Sequence, residues 1–220
     1  MEYIRPDGSW VADPDAVDLT ERGRRQAREM AALFAGTPVD KAVCSGLPRT
    51  RQTGEIILGD RDIQILVEPG LEEIRPMQGE ASGGYDIYSD VAFSHWRAVD
   101  EGAQFLGGER YADFYARICV AVHDLVADPE WHNLAVFAHG GTNAAILGWV
   151  TGLGLPAFGL LDQATCCLNI IDFDVDKDGQ VVRKTLRAMN VTADDPVMQD
   201  RHSGDMEMLA SMILQGAANN

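Results

Sequence analysis

Asn133-Leu-Ala-Val-Phe-Ala-His139-Gly-Gly-Thr142 sets one histidine where a strand ends and a helix begins. Residues 133–138 are a short apolar run containing Val136 and Phe137, the pattern of a parallel strand buried on both faces. From Asn143 to Val150 the pattern turns helical, with Ala144, Leu147 and Val150 on one side. Gly140 and Gly141 permit the tight turn between them. Free N–H groups at the start of that helix, together with its dipole, make an anion site beside His139. An imidazole at the lip of an anion site points to phosphate chemistry, although His-Gly-Gly also builds oxyanion loops in hydrolases and ordinary turns.

Outward from this unit, strand-like and helix-like segments alternate. Thr20 to Ala35 reads as an amphipathic helix capped by Thr20, with Ala27, Met30, Ala31 and Phe34 on one stripe. Lys41 to Cys44 is a short strand, Arg49 to Leu58 a helix and Ile63 to Val67 a strand ending at Pro69-Gly70. A glycine-rich stretch from Gly79 to Gly84 is irregular; helices follow around Ile87 to Val99 and Arg110 to Val126. Strands near Cys167 to Phe173 and Val181 to Leu186 are joined by a turn at Asp174 to Gly179. Helices set between parallel strands imply an α/β three-layer sandwich, a mostly parallel sheet flanked by helices, with its site at the carboxyl ends of the strands. Residues 1–190 read as one domain. Residues 191–220 read as a C-terminal extension with a short amphipathic helix over Asp205 to Leu214, whose Met206, Leu209, Met212 and Ile213 share a face. That face packs on its own domain by default and can also support a homodimer.

Composition narrows the function. At 220 residues, 46% hydrophobic and 24% charged, the chain can bury a single core. A net charge of −16 argues against nucleic acid or an anionic membrane as partner, since both demand a basic face. An anionic ligand therefore needs a local cluster of positive groups. Cys44, Cys119, Cys166 and Cys167 lack metal-like spacing and read as free thiols in a reducing cytoplasm. No signal peptide is recognisable near Met1, and no apolar run approaches the roughly 18 residues of a membrane span.

Four further pieces stand in a telling order. Leu19-Thr20-Glu21-Arg22-Gly23-Arg24-Arg25-Gln26-Ala27 fits L-T-E-x-G-x-x-Q-A, and Ser45-Gly-Leu47-Pro-Arg49-Thr-Arg51-Gln52-Thr53 fits S-x-L-x-R-x-x-Q-T. Leu71-Glu-Glu73 fits L-x-E, and Gly107-Gly108-Glu109 fits the G-G-E that opens a long helix. With His139-Gly140-Gly141 the chain resembles the histidine phosphatase, or phosphoglycerate mutase-like, superfamily over roughly Leu19 to Asn190. The resemblance implies a phosphoric monoester hydrolase that works through a phosphohistidine. It assigns Arg49 and His139 to the phosphoryl oxygens and Glu73 to the proton given to the leaving group and later taken from water. Backbone donors from Gly140 to Thr142 complete the substrate contacts. No metal or cofactor is implied, because side chains supply the positive charge.

One piece of the pattern is missing, and it carries the nucleophile. Members of this family begin with an apolar strand ending in R-H-G, whose histidine attacks phosphorus. This chain begins Met1-Glu-Tyr-Ile-Arg-Pro-Asp-Gly. Either Arg5-Pro6-Asp7-Gly8 is a decayed R-H-G, making a pseudoenzyme, or the strand is absent and Met1 lies just beyond it. Absence is the better reading: Met1 to Ile4 is too short, and too polar at Glu2, for a strand buried on both faces, while Pro6-Asp7-Gly8 is turn chemistry. A clipped chain, or a start codon assigned too far downstream, produces such a sequence. As supplied it is expected to turn over little or nothing, with two sheet edges exposed where the strand belongs.

Arg49 lies in the first turn of a helix, where a cation is disfavoured unless an anion faces it. The double role of Glu73 calls for a raised pKa, from burial or from neighbours such as Glu72. His95, His123, His132 and His202 open no glycine-rich turn and read as structural or surface residues. Arg75-Pro76-Met77-Gln78-Gly79-Glu80 departs from the family's usual spacing after the glutamate, which leaves the substrate loop undefined. Tyr85, Tyr88, Phe93 and Trp96, with few basic residues beside Asp86, Asp90, Asp100 and Glu101, favour a small, partly aromatic phosphorylated metabolite and a phosphatase over a bisphosphate-retaining mutase. An α/β-hydrolase is disfavoured because no G-x-S-x-G occurs.

Overall fold

The computed structural model of the protein describes residues 16–77, 87–193 and 203–218. Its elements, in order, are α1 (Glu21–Phe34), β1 (Lys41–Cys44), α2 (Pro48–Leu58), β2 (Ile65–Val67), α3 (Ile87–Ala92), α4 (Tyr111–Ala127), β3 (Leu134–Phe137), α5 (Gly140–Thr151), α6 (Ala157–Leu160), β4 (Leu168–Val175), β5 (Val181–Val191) and α7 (Asp205–Ala218). Strands β2, β1 and β3 form a parallel sheet in that order. Side chains alternate across β1: Ala42 and Cys44 pack with α1 and α2, whereas Val43 enters the core built by α4 and α5. The result is a three-layer α/β/α arrangement. Thr20 caps α1 through its hydroxyl, which accepts from Gly23 N–H at 3.2 Å.

Strands β4 and β5 pair with each other as an antiparallel hairpin, separate from the parallel sheet among the described residues. Pairing of β3 on the side away from β1 is likewise absent among those residues. Residues of β3 and β4 line the same cavity, of about 2050 Å³, and Val136 in the middle of β3 is 39% exposed. The continuous helix expected over Ile87 to Val99 is instead α3 followed by a separate 3-10 turn, Trp96–Val99. The strand expected from Ile63 is shorter, starting at Ile65. The segments Gly79 to Gly84 and Arg5 to Gly8 lie outside the described residues. Helix α7 packs on α3 through Ala210 and Ile213 against Val91, with Met206 and Leu209 partly buried. Met212, placed on that face by the sequence pattern, is 40% exposed because Ala210 takes the buried position. Among the described residues no helix is long and apolar enough to cross a membrane, and the four cysteines are free.

Candidate active site

Two strand ends supply the site. Beyond β1 the chain turns through Gly46, at φ +95°, where any side chain would press on Val67 at 2.9 Å. Pro48 then opens α2, its missing N–H costing nothing at that position. This places Arg49 in the first turn of α2, buried, with Ser45 and Thr50 buried beside it. Beyond β3, His139 keeps an extended backbone at the N-cap of α5 and is also buried. Because β1 and β3 are parallel neighbours, both turns open at the same end of the sheet, and Arg49 and His139 line one cavity.

Glu73 comes from the chain beyond β2, just after the 3-10 turn Pro69–Leu71. Its carboxyl accepts from Gly141 N–H at 3.1 Å and from Ile74 N–H at 2.9 Å. The anion position read from the sequence at the start of α5 is thus held by the protein's own carboxyl group. A Cβ on Gly141 would lie 2.4 Å from Glu73 Oε1, so only glycine admits this contact. Burial raises the Glu73 pKa, opposed by the two backbone N–H groups and by Arg49. Burial, not Glu72, is the cause of that shift; Glu72 instead pairs with Arg75 at 2.6 Å. His139 is held well below the ordinary histidine value by burial and by Arg49, so its ring is neutral. Thr142 turns its hydroxyl away, to Leu71 O at 3.2 Å, leaving only its backbone N–H toward Glu73.

Ser45, Thr50, Glu109 and Arg117, none of them given a role by the sequence, hold this geometry. Ser45 Oγ lies 2.8 Å from His139 Nε2 and 3.0 Å from Thr50 Oγ1. Arg117, on α4, pairs with Glu109 at 3.0 Å and donates to Gly70 O and Glu72 O at 2.9 and 3.1 Å. Glu109 in turn accepts from Arg75 N–H at 3.2 Å, and a Cβ on Gly108 would meet Arg75 O at 2.3 Å. The G-G-E segment therefore clamps both sides of the strip that carries Glu73. The available signal was an arginine eight residues, about two helical turns, after the glutamate. His95 is structural: its Nδ1 meets Tyr111 OH at 2.9 Å, and its ring packs near Phe105 and Phe158. No group of three His, Cys, Asp or Glu suited to a metal occurs among the described residues.

Residues 8–186 match the family described as the histidine phosphatase superfamily (branch 1). The probable 2-carboxy-D-arabinitol-1-phosphatase of Arabidopsis thaliana is 28% identical over 92% of this chain and 42% of its own length. The adenosylcobalamin/alpha-ribazole phosphatase of Salmonella typhi is 28% identical over 64% of this chain and 70% of its own. The chain spans less than half the length of the plant relatives it matches. Among solved structures, the mycobacterial glucosyl-3-phosphoglycerate phosphatase with inorganic phosphate aligns at a TM-score of 0.65 and 24% identity, covering 80% of this chain and 88% of that one. That likeness is one of fold.

Proposed function

The chain belongs to the histidine phosphatase superfamily (branch 1), and from that premise we propose that it serves the hydrolysis of small phosphate monoesters through a phosphohistidine. The convergence of Arg49, His139 and Glu73 on one cavity at the carboxyl ends of β1 and β3 carries this reading. A phosphoryl group in transit spreads negative charge over its equatorial oxygens, which fixed donors must meet. Arg49, with its planar fork, and His139 meet those oxygens, joined by the backbone N–H of Gly140, whereas the Thr142 N–H expected there is turned to Glu73. A histidine nitrogen attacks phosphorus as the ester P–O bond breaks, and the Glu73 proton passes to the leaving oxygen. Water then attacks the phosphohistidine, Glu73 takes its proton, and the P–N bond breaks. The raised Glu73 pKa suits a group that must first be an acid.

No R-H-G occurs in this sequence, so the attacking histidine is not assigned to any of its residues. Without such a histidine the protein is a phosphate-binding pseudoenzyme. A phosphoglycerate mutase-like phosphotransferase is the weaker alternative, since Phe93 and Trp96, at 48% and 61% exposure, line the cavity rim where a bisphosphate would need basic contacts. The substrate is a modest, partly aromatic phosphorylated metabolite.

The test is to read the coding sequence before Met1 for an apolar run ending in Arg-His-Gly, restore it, and assay nitrophenyl phosphate. The restored chain is expected to turn over. Arg49→Ala should lower kcat/KM by about 100-fold or more, and Glu73→Gln by about 10²–10⁴-fold. A fully active Arg49→Ala variant removes the clamp from consideration. A stop codon or unrelated sequence upstream, with inorganic phosphate still bound, selects the pseudoenzyme.

A further inference from the structure

His139 has two ring nitrogens, and the buried hydroxyls beside it decide which one carries the proton. Thr50 Oγ1 lies 2.9 Å from Leu47 O, a carbonyl that can only accept, so the single Thr50 proton is spent there. Thr50 Oγ1 must then accept from Ser45 Oγ–H at 3.0 Å. The Ser45 proton is spent in turn, and its oxygen can only accept, from Leu47 N–H at 3.4 Å and from His139 Nε2–H at 2.8 Å. The reverse order would set two lone pairs against each other between Thr50 and Leu47. Satisfying every group thus leaves one arrangement, with the proton on Nε2.

We propose that Ser45 and Thr50 are positioning residues that hold His139 as its Nε2–H tautomer, so that phosphate binds together with one proton, taken up at Nδ1. This rests on the site being a phosphate site. With Nε2 committed to Ser45, Nδ1 is the nitrogen left for the ring, which lines the cavity, to meet a phosphoryl oxygen, and its unprotonated lone pair repels that oxygen. Adding a proton turns that contact into a charge-assisted hydrogen bond. The charged and titratable groups around the ring are Arg49, from α2, which disfavours the imidazolium until an anion arrives, and Glu73, from the strip after Leu71, at the start of α5. Bound phosphate offsets the Arg49 charge and makes the protonated ring favourable.

The experiment is calorimetric titration with inorganic phosphate near pH 8, in buffers of different ionisation enthalpy, alongside nitrogen NMR of labelled histidine. The Glu73→Gln background removes proton exchange by that carboxyl. In this background the empty protein should show Nδ1 as an unprotonated, pyridine-like nitrogen. About one proton should be taken up per phosphate, and affinity should fall about tenfold per pH unit once phosphate itself is the dianion. Thr50→Val, nearly isosteric, frees the Ser45 proton for Nε2 and moves the ring proton to Nδ1. Proton uptake should then drop toward zero and the pH slope flatten, while Thr50→Ser should restore both. An Nδ1–H tautomer in the empty protein overturns the proposal, as does equal proton uptake in wild type and Thr50→Val. Absence of phosphate binding in every variant, Glu73 intact or not, overturns the phosphate site itself and the coupling with it.

Discussion

Gly141 shows how narrowly one position can be specified. It gives an N–H to Glu73 and leaves no room for a methyl group, since a Cβ would sit 2.4 Å from the carboxyl oxygen. Alanine is the better helix former by about 1 kcal/mol, yet here it must push the carboxyl off the helix start. A hydrogen bond to a charged group contributes roughly 1.5–3 kcal/mol. Gly141→Ala should therefore be destabilising overall, by about 1–2 kcal/mol, read as a lower urea midpoint with an unchanged slope. A raised midpoint would mean that the contact carries little. The position looks like a helix-start glycine in sequence, and its partner, 68 residues away, is invisible there.

At the scale of elements, α4 acts as the spine of the site. Its inner face, Tyr111, Phe114, Ile118 and Val122, is buried in the main core, while Arg117 on its flank reaches across to the strip bearing Glu73. The sequence marks a helix over Arg110 to Val126, close to its observed span. The role of Arg117 is not legible in the sequence, because it depends on two carbonyls brought beside it by another segment. Arg117→Leu keeps the stem packing and removes the donors. It should cost roughly 2 kcal/mol by urea denaturation, with the half-exposed ion pair contributing little and the carbonyl contacts most. In the nucleophile-restored chain it should lower kcat more than it raises KM, because Glu73 is displaced while the phosphate clamp stays. Equal kcat values would separate α4 from the chemistry.

For the whole molecule, two enclosed histidines set the acid limit. The pKa of His95 falls to about 4 through burial, and that of His139 lies well below its ordinary value. A histidine kept neutral in the fold adds stability that is complete above its unfolded pKa of about 6.5 and is lost as pH falls toward the folded value. Glu73, with its pKa raised, works in the opposite sense and favours the fold as pH drops. The histidines outnumber it, so stability should fall between about pH 6.5 and pH 4. For His95 the loss between pH 7.5 and pH 5 is about 2 kcal/mol. His95→Gln retains a partner for Tyr111 without titrating and should flatten the urea midpoint against pH by about that amount. An unaltered pH profile would place the acid sensitivity elsewhere.

Local order was written in the chain. Thr20 as a cap, the stripe Ala27, Met30 and Phe34, the apolar strands and the turn at Gly140 all follow from spacing within a few residues, where backbone geometry is periodic. Arg49, Glu73 and His139 were picked out by the resemblance of the motifs that carry them, and the structure sets all three against one cavity. Tertiary structure alone decided what those residues meet. It put the Glu73 carboxyl on Gly141, joined Ser45 to His139 across 94 positions, and set Arg117 against the Glu73 strip. Among the described residues it also left the β4–β5 hairpin unpaired with the parallel sheet, the cavity being lined by residues of both. Such contacts depend on which segments the packed layers bring together, and a hydrogen bond between distant residues leaves no period in the sequence from which to read it.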